Sequence, residues 1–158
     1  MTFKKDYQNG MTLENEFYAF MEKKHPGKVD TTQHLGNFPG YDVKLNVCPG
    51  YSIKYECKRD LTCFAKKTFN ACLELCKGWV NGKQIPGGLT ATTADYLVMG
   101  FECHPHVYII SVKDMWRLVK QKKHTEVSGP NIGNANCLIM LWPFEEFAKH
   151  AKILYTRK

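Results

Sequence analysis

Residues 51–59 alternate two kinds of side chain so regularly that an extended strand is the conformation that sorts them. Ile53, Tyr55 and Cys57 fall on one face, and Lys54, Glu56 and Lys58 on the other. The first set suits a core. The second sets a carboxylate and an ammonium two positions apart on the opposite side. Cys48-Pro49-Gly50 is a turn signal, and residues 41–47 before it are again extended, so the two stretches read as a hairpin. Asp42 then lies on the neighbouring strand, where its carboxylate can approach that of Glu56.

The rest of the chain supplies elements to cover this hairpin. Thr12 is the expected cap of an amphipathic helix running to about residue 24, with Leu13, Phe17, Phe20 and Met21 at helical spacing. His25-Pro26-Gly27 ends it. Residues 31–39 read as a polar loop, with a short extended piece at 29–33. A third extended stretch covers 68–77, and 78–88 is rich in turn signals. A short helix is expected at 89–94, strands at 95–101 and 107–112, and a helix at 113–123 with Met115, Trp116, Leu118 and Val119 inward. A loop at 128–136, a strand at 137–142 and a helix at 143–151 follow. The fold class is α+β or mixed α/β, a central mixed sheet flanked by helices. With 158 residues, no repeat and no linker-like stretch, one domain is expected.

Composition narrows the function classes. No apolar run approaches the roughly 18 residues of a membrane span, and residues 1–8 lack the apolar segment of a secretory signal. Seven cysteines, an odd number with no CxxC pair, suit reduced thiols in a cytoplasmic setting. Cys72, Cys76, Cys103, His104 and His106 are zinc-ligand types, but paired knuckles are missing and buried thiols are the plainer reading. The net charge of +7 is spread along the chain, as in many nucleic-acid-binding domains.

Two carboxylates held together repel each other unless a divalent cation lies between them. Mg²⁺ suits such a pair, since it takes hard oxygen ligands and keeps waters that face a phosphate. An adjacent lysine can orient a water and stabilise charge growing on phosphorus. An acid on one strand followed by Glu-x-Lys on the next is therefore suited to phosphodiester hydrolysis. Glu-x-Lys alone also occurs on ordinary charged surface strands.

Here the residues resemble the PD-(D/E)XK nuclease superfamily over roughly 13–101, whose core is a helix, three strands, a helix and a fourth strand. The resemblance implies a restriction-endonuclease-like core, with residues after about 101 an addition. Asp42 fits the first metal-binding acid, Glu56 the second and Lys58 the catalytic lysine, with the backbone carbonyl of Cys57 joining the metal shell. Glu16 looks like the helix acid of many members, a surface glutamate being the equal alternative. Tyr41 precedes the first acid where the pattern has proline, so Asp42 rests on spacing; Asp60 is the next carboxylate in reach. Thr68-Phe69-Asn70-Ala71-Cys72-Leu73-Glu74 and Thr92-Thr93-Ala94-Asp95-Tyr96-Leu97-Val98 look like segments flanking the cleft in some small phage and mobile-element members. Asn70, Glu74, Asp95 and Asp60 are accordingly cleft-adjacent candidates.

The expected activity is a Mg²⁺-dependent nuclease, with Mn²⁺ as a substitute, acting on DNA rather than RNA in the cytoplasm of a bacterial or phage-infected cell. Lys44, Lys54, Arg59, Lys66 and Lys67 are candidates for holding the nucleic-acid backbone, with Lys83 nearby and solubility as the alternative role of each. Trp79, Phe38 and Tyr41 either stack on bases or cover the sheet. A junction-resolving enzyme would be a symmetric homodimer; site-specific and repair nucleases are the other jobs. A non-catalytic nucleic-acid-binding domain on the same scaffold is the alternative.

Overall fold

The computed structural model describes residues 3–32, 40–130 and 136–157, without the side chains of 3–11, 78, 79, 129, 130 and 136. Four helices appear among them: α1 (Phe3–Lys24), α2 (Gly88–Ala91), α3 (Val112–Gln121) and α4 (Phe144–His150). The central sheet is mixed and six-stranded. It contains β1 (Val29–Thr31), β2 (Val43–Cys48), β3 (Tyr51–Asp60), β7 (Tyr96–Phe101), β8 (His106–Ser111) and β11 (Lys152–Thr156), in the order β1-β2-β3-β7-β8-β11. The β3–β7 pair is parallel and every other neighbouring pair is antiparallel. No helix among the described residues is long and apolar enough to cross a membrane.

The alternation in β3 divides the molecule into layers. Tyr55 and Cys57 meet Leu13, Phe17 and Met21 of α1 on one face, with Val29, Val43, Leu45, Val98 and Val107 completing that core. Removing these side chains from water is the main stabilising term for the layer, at roughly 1.5–3 kcal/mol per large aliphatic or aromatic group. The opposite face carries a second core, in which Leu97, Met99 and Phe101 meet Leu73, Met140, Trp142 and Phe147. Glu56 and Lys58 point to this second side.

Several expectations change here. Helix α1 begins at Phe3, so Thr12 is inside it rather than its cap; the polar residues before it contain no proline to stop the helix. The third extended stretch exists as β4 (Asn70–Cys76), but it leaves the central sheet. It pairs with β10 (Asn136–Pro143), which also pairs with β9 (Thr125–Pro130), in a separate three-stranded sheet. The diversion starts at Asp60, whose Oδ1 caps the turn at Thr62 and Cys63 while Oδ2 accepts the Cys72 amide of β4. The three-strand meander is instead β1-β2-β3, built on the short extended piece at 29–31.

The turn-rich stretch becomes a hairpin of β5 (Gly78–Val80) and β6 (Lys83–Ile85). The loop expected at 128–136 overlaps β9 up to Pro130, and 131–135 lie outside the described residues, as does Phe38. Residues after 101 contribute to both sheets: β8 and β11 widen the central sheet, and β9 and β10 join β4 in the second one.

Candidate active site

The strand register brings the acids together. Val43 pairs with Tyr55, so Asp42 stands opposite Glu56, and the Asp42 amide donates to the Tyr55 carbonyl at 2.8 Å. The approach to Asp42 is shaped by Gly40, whose φ is +88°. Its carbonyl accepts the Thr93 amide at 2.7 Å and the Thr92 hydroxyl at 3.0 Å, and a Cβ there would lie 2.8 Å from Thr93 Oγ1. Glycine alone tolerates both conditions. The Thr92-Thr93 pair thus locks the segment entering β2 to the end of α2.

Asp42, Glu56, Cys57 and Lys58 line one cleft of about 750 Å³, with Glu14, Arg59, Glu74 and Lys77 around it and Pro86-Gly87-Gly88 on the far wall. That wall is tight: Gly88 has φ +48°, and a Cβ on it would lie 1.9 Å from the Glu74 carbonyl oxygen.

Asp42 Oδ2 accepts the Cys57 amide at 2.7 Å. Burial pushes the Asp42 carboxyl up to about 7; the Cys57 amide and the Lys58 charge oppose that rise, and Glu14 and Glu56 add to it. Glu56 is 1% exposed. Lys58 Nζ lies 2.5 Å from its Oε1, and Oε2 is buried with no hydrogen-bond partner among the described residues. Burial works to lower the Lys58 pKa, but the charge and hydrogen bond of Glu56, with Asp42 and Glu74, outweigh it and hold the ammonium above its ordinary value. Burial, and then the charge of Asp42, keeps the Cys57 thiol protonated.

The other sequence candidates divide cleanly. Glu74 lines the cleft, and its Oε2 accepts from Cys137 Sγ at 3.4 Å. Arg59 lines it while paired with Glu102. Glu16 does not reach it: both its oxygens are held by Arg157 Nε, at 2.9 and 3.1 Å. Asp60 is buried and committed to backbone amides. Asp95 Oδ2 accepts the Lys54 amide at 2.8 Å, and Asn70 Nδ2 donates to the Thr68 carbonyl at 3.1 Å, so both tie chain segments together. Lys44 faces Asp30 at 3.4 Å, Lys54 sits over the Tyr41 ring, and Lys66 and Lys67 are exposed on the turn after β3.

Glu14 and Lys77 are the cleft residues that sequence reasoning missed. Glu14 and Glu16 lie about 200° apart around the helix, so a single orientation of α1 serves only one of them. The signal present was Glu14 itself, adjacent to buried Leu13. Lys77 carried none beyond its place at the end of an extended stretch.

Asp42 and Glu56 are the residues that could hold a divalent cation: both line one cleft, Glu56 Oε2 has no hydrogen-bond partner among the described residues, and Mg²⁺ commonly takes one or two carboxylates and keeps its waters. No third acid is gathered with them as a metal site among the described residues. Zinc ligation is not supported: among the described residues no group of three or more Cys, His, Asp or Glu is gathered as a metal site, and all seven cysteines are free thiols. Comparisons with protein-family models, with curated proteins and with solved structures returned no match to this chain.

Proposed function

We propose that this chain is a Mg²⁺-dependent nuclease that hydrolyses phosphodiester bonds in DNA, with a restriction-endonuclease-like core. The observation that carries the reading is Glu56: a carboxylate almost wholly removed from water, paired with Lys58 through one oxygen and unpartnered at the other, beside Asp42 in one cleft. A buried carboxylate oxygen without a donor is unfavourable, and a divalent cation is a partner that would offset it. The order α1, β1-β2-β3, α2, β7, with β7 parallel to β3, supports the core that the PD-(D/E)XK resemblance implies.

Asp42 and Glu56 would hold the ion with the Cys57 carbonyl, and Glu14 is the further acid on the cleft. When bound, Mg²⁺ supplies Lewis-acid polarisation of a phosphate oxygen and a more acidic water, and Mn²⁺ would substitute. Lys58 keeps its proton and places positive charge where the phosphate gains negative charge. Arg59 and Lys77 on the cleft margin attract the anionic backbone.

The test is cleavage of labelled single-stranded, duplex, flap and four-way-junction DNA and of RNA, in Mg²⁺, Mn²⁺ or EDTA, beside Lys58→Ala. Metal-dependent cleavage lost in the variant is the expected result. No cleavage of any substrate would remove the enzymatic reading.

A further inference from the structure

We infer that the β5–β6 hairpin reads the major groove of B-form duplex DNA beside the cleft; this rests on the nuclease reading and assigns its substrate class. The hairpin forms a two-stranded sheet of its own, joined by strand pairing to neither larger sheet. Both of its ends are fixed at the cleft, since Lys77 before β5 and Pro86 after β6 line it. The Lys77 amide donates to the Ile85 carbonyl at 3.1 Å and closes the base. At the tip, Asn81 and Gly82 have φ of +51° and +74°, the paired positive values that give a tight hairpin turn the twist of its strands.

Every residue from 80 to 84 is exposed, Val80 by 50%. The chemistry of these exposed side chains indicates what they would meet. The hairpin carries Lys83 and no acid, with Lys77 at its base, so the element is cationic against a polyanion. Asn81 and Gln84 are the side-chain types that form paired hydrogen bonds with adenine in the major groove, and an aliphatic group can meet the thymine methyl. Three residues per strand give a length of about 10 Å, close to the roughly 8.5 Å depth of a major groove about 12 Å wide, which admits a two-stranded ribbon. The major groove of A-form RNA is too narrow for side chains to read. B-form DNA is thus the occupant that the size, charge and side-chain types share.

The experiment is fluorescence anisotropy of a labelled duplex DNA and a duplex RNA of matching sequence, in EDTA and again with Ca²⁺. Wild type is compared with Lys83→Ala and with Asn81→Gly/Lys83→Ala/Gln84→Ala, where glycine at 81 preserves the turn. Thermal melting confirms that both variants are folded. The triple variant is expected to bind duplex DNA at least 10-fold more weakly. Lys83→Ala alone should lower the slope of log affinity against log salt by about 0.9, one phosphate contact. Wild-type affinity and slope in the triple variant, or an equal loss on duplex RNA, would overturn the hairpin's role while leaving the nuclease reading intact. A wild-type protein that binds and cleaves no nucleic acid would remove the underlying reading itself.

Discussion

Glu56 and Asp60 stand four residues apart on the same face of β3, both buried, and their surroundings are opposite. Asp60 is met by four donors: the Thr62 amide at 2.7 Å, the Thr62 hydroxyl at 2.9 Å, the Cys63 amide at 3.0 Å and the Cys72 amide at 2.8 Å. Its charge is spread into the backbone and holds the turn that sends β4 out of the central sheet. Glu56 has the Lys58 ammonium against one oxygen and no hydrogen-bond partner among the described residues on the other. One strand therefore carries a carboxylate that builds the fold and another that the fold leaves incompletely satisfied. The contrast shows that burial alone does not separate the two acids; the donors around them do.

Exchanging each acid for its amide sharpens the contrast. Glu56→Gln and Asp42→Asn are expected to lower metal-dependent cleavage by at least about 10³-fold, with folding and DNA binding retained because the basic surface is untouched. Equal loss of DNA binding in both variants would count against their assignment as metal ligands. Asp60→Asn should do the reverse. An amide cannot accept on both sides, so amides of Thr62, Cys63 or Cys72 lose a partner, costing roughly 2–4 kcal/mol in denaturant unfolding. A stability equal to wild type would show that the turn holds without it.

Smaller effects test the remaining roles. Lys58→Ala should lower turnover about 10²-fold and leave metal affinity in place, as measured by single-turnover rates beside metal titration; an unchanged rate would remove Lys58 from the chemistry. Asp42 sets a pH dependence of the metal-free protein. Its carboxyl titrates near 7 in the folded chain, against 3.8 for the ordinary group. Between those values the folded state holds a proton that the unfolded chain has released, so stability falls as pH rises from about 4 to 7 and stays lower above that. In EDTA at pH 8, Asp42→Asn should therefore melt higher than wild type. A lower melting temperature in the variant would mean that the ionised carboxylate is stabilised by a partner other than a cation.

Much of this was legible in the sequence for a physical reason. Strand alternation sorts side chains without reference to distant residues, so the opposition of Lys54, Glu56 and Lys58 to Tyr55 and Cys57 follows from local order. The turn at Cys48-Pro49-Gly50 joined the two strands, while the pairing of Asp42 with Glu56 also needed a one-residue register shift between Asn46 and Cys48 that the turn does not disclose. What the sequence did not disclose depends on tertiary contacts. Whether α1 turns Glu14 or Glu16 toward the cleft is decided by how the Leu13–Phe17 stripe seats on the sheet and by Arg157, 141 residues away from Glu16. That β4 would join β10 depends on Asp60 capping a turn and on a partner strand some sixty residues later, and short strands carry no mark of their partner. Strand β11 escaped notice because Lys152–Thr156 follows directly on α4, with Ala151 as its cap.

The proposed chemistry depends on Glu56, whose Oε2 has no hydrogen-bond partner among the described residues, acting as a cation ligand. The most direct measurement is calorimetric titration of Mn²⁺ and Mg²⁺ into the metal-free wild type, Glu56→Gln and Glu16→Gln, with melting temperatures recorded alongside. A saturable site is expected in wild type and in Glu16→Gln, accompanied by a rise in melting temperature with metal concentration, with loss of both in folded Glu56→Gln. Equal metal binding in wild type and Glu56→Gln, or none in either, would contradict it.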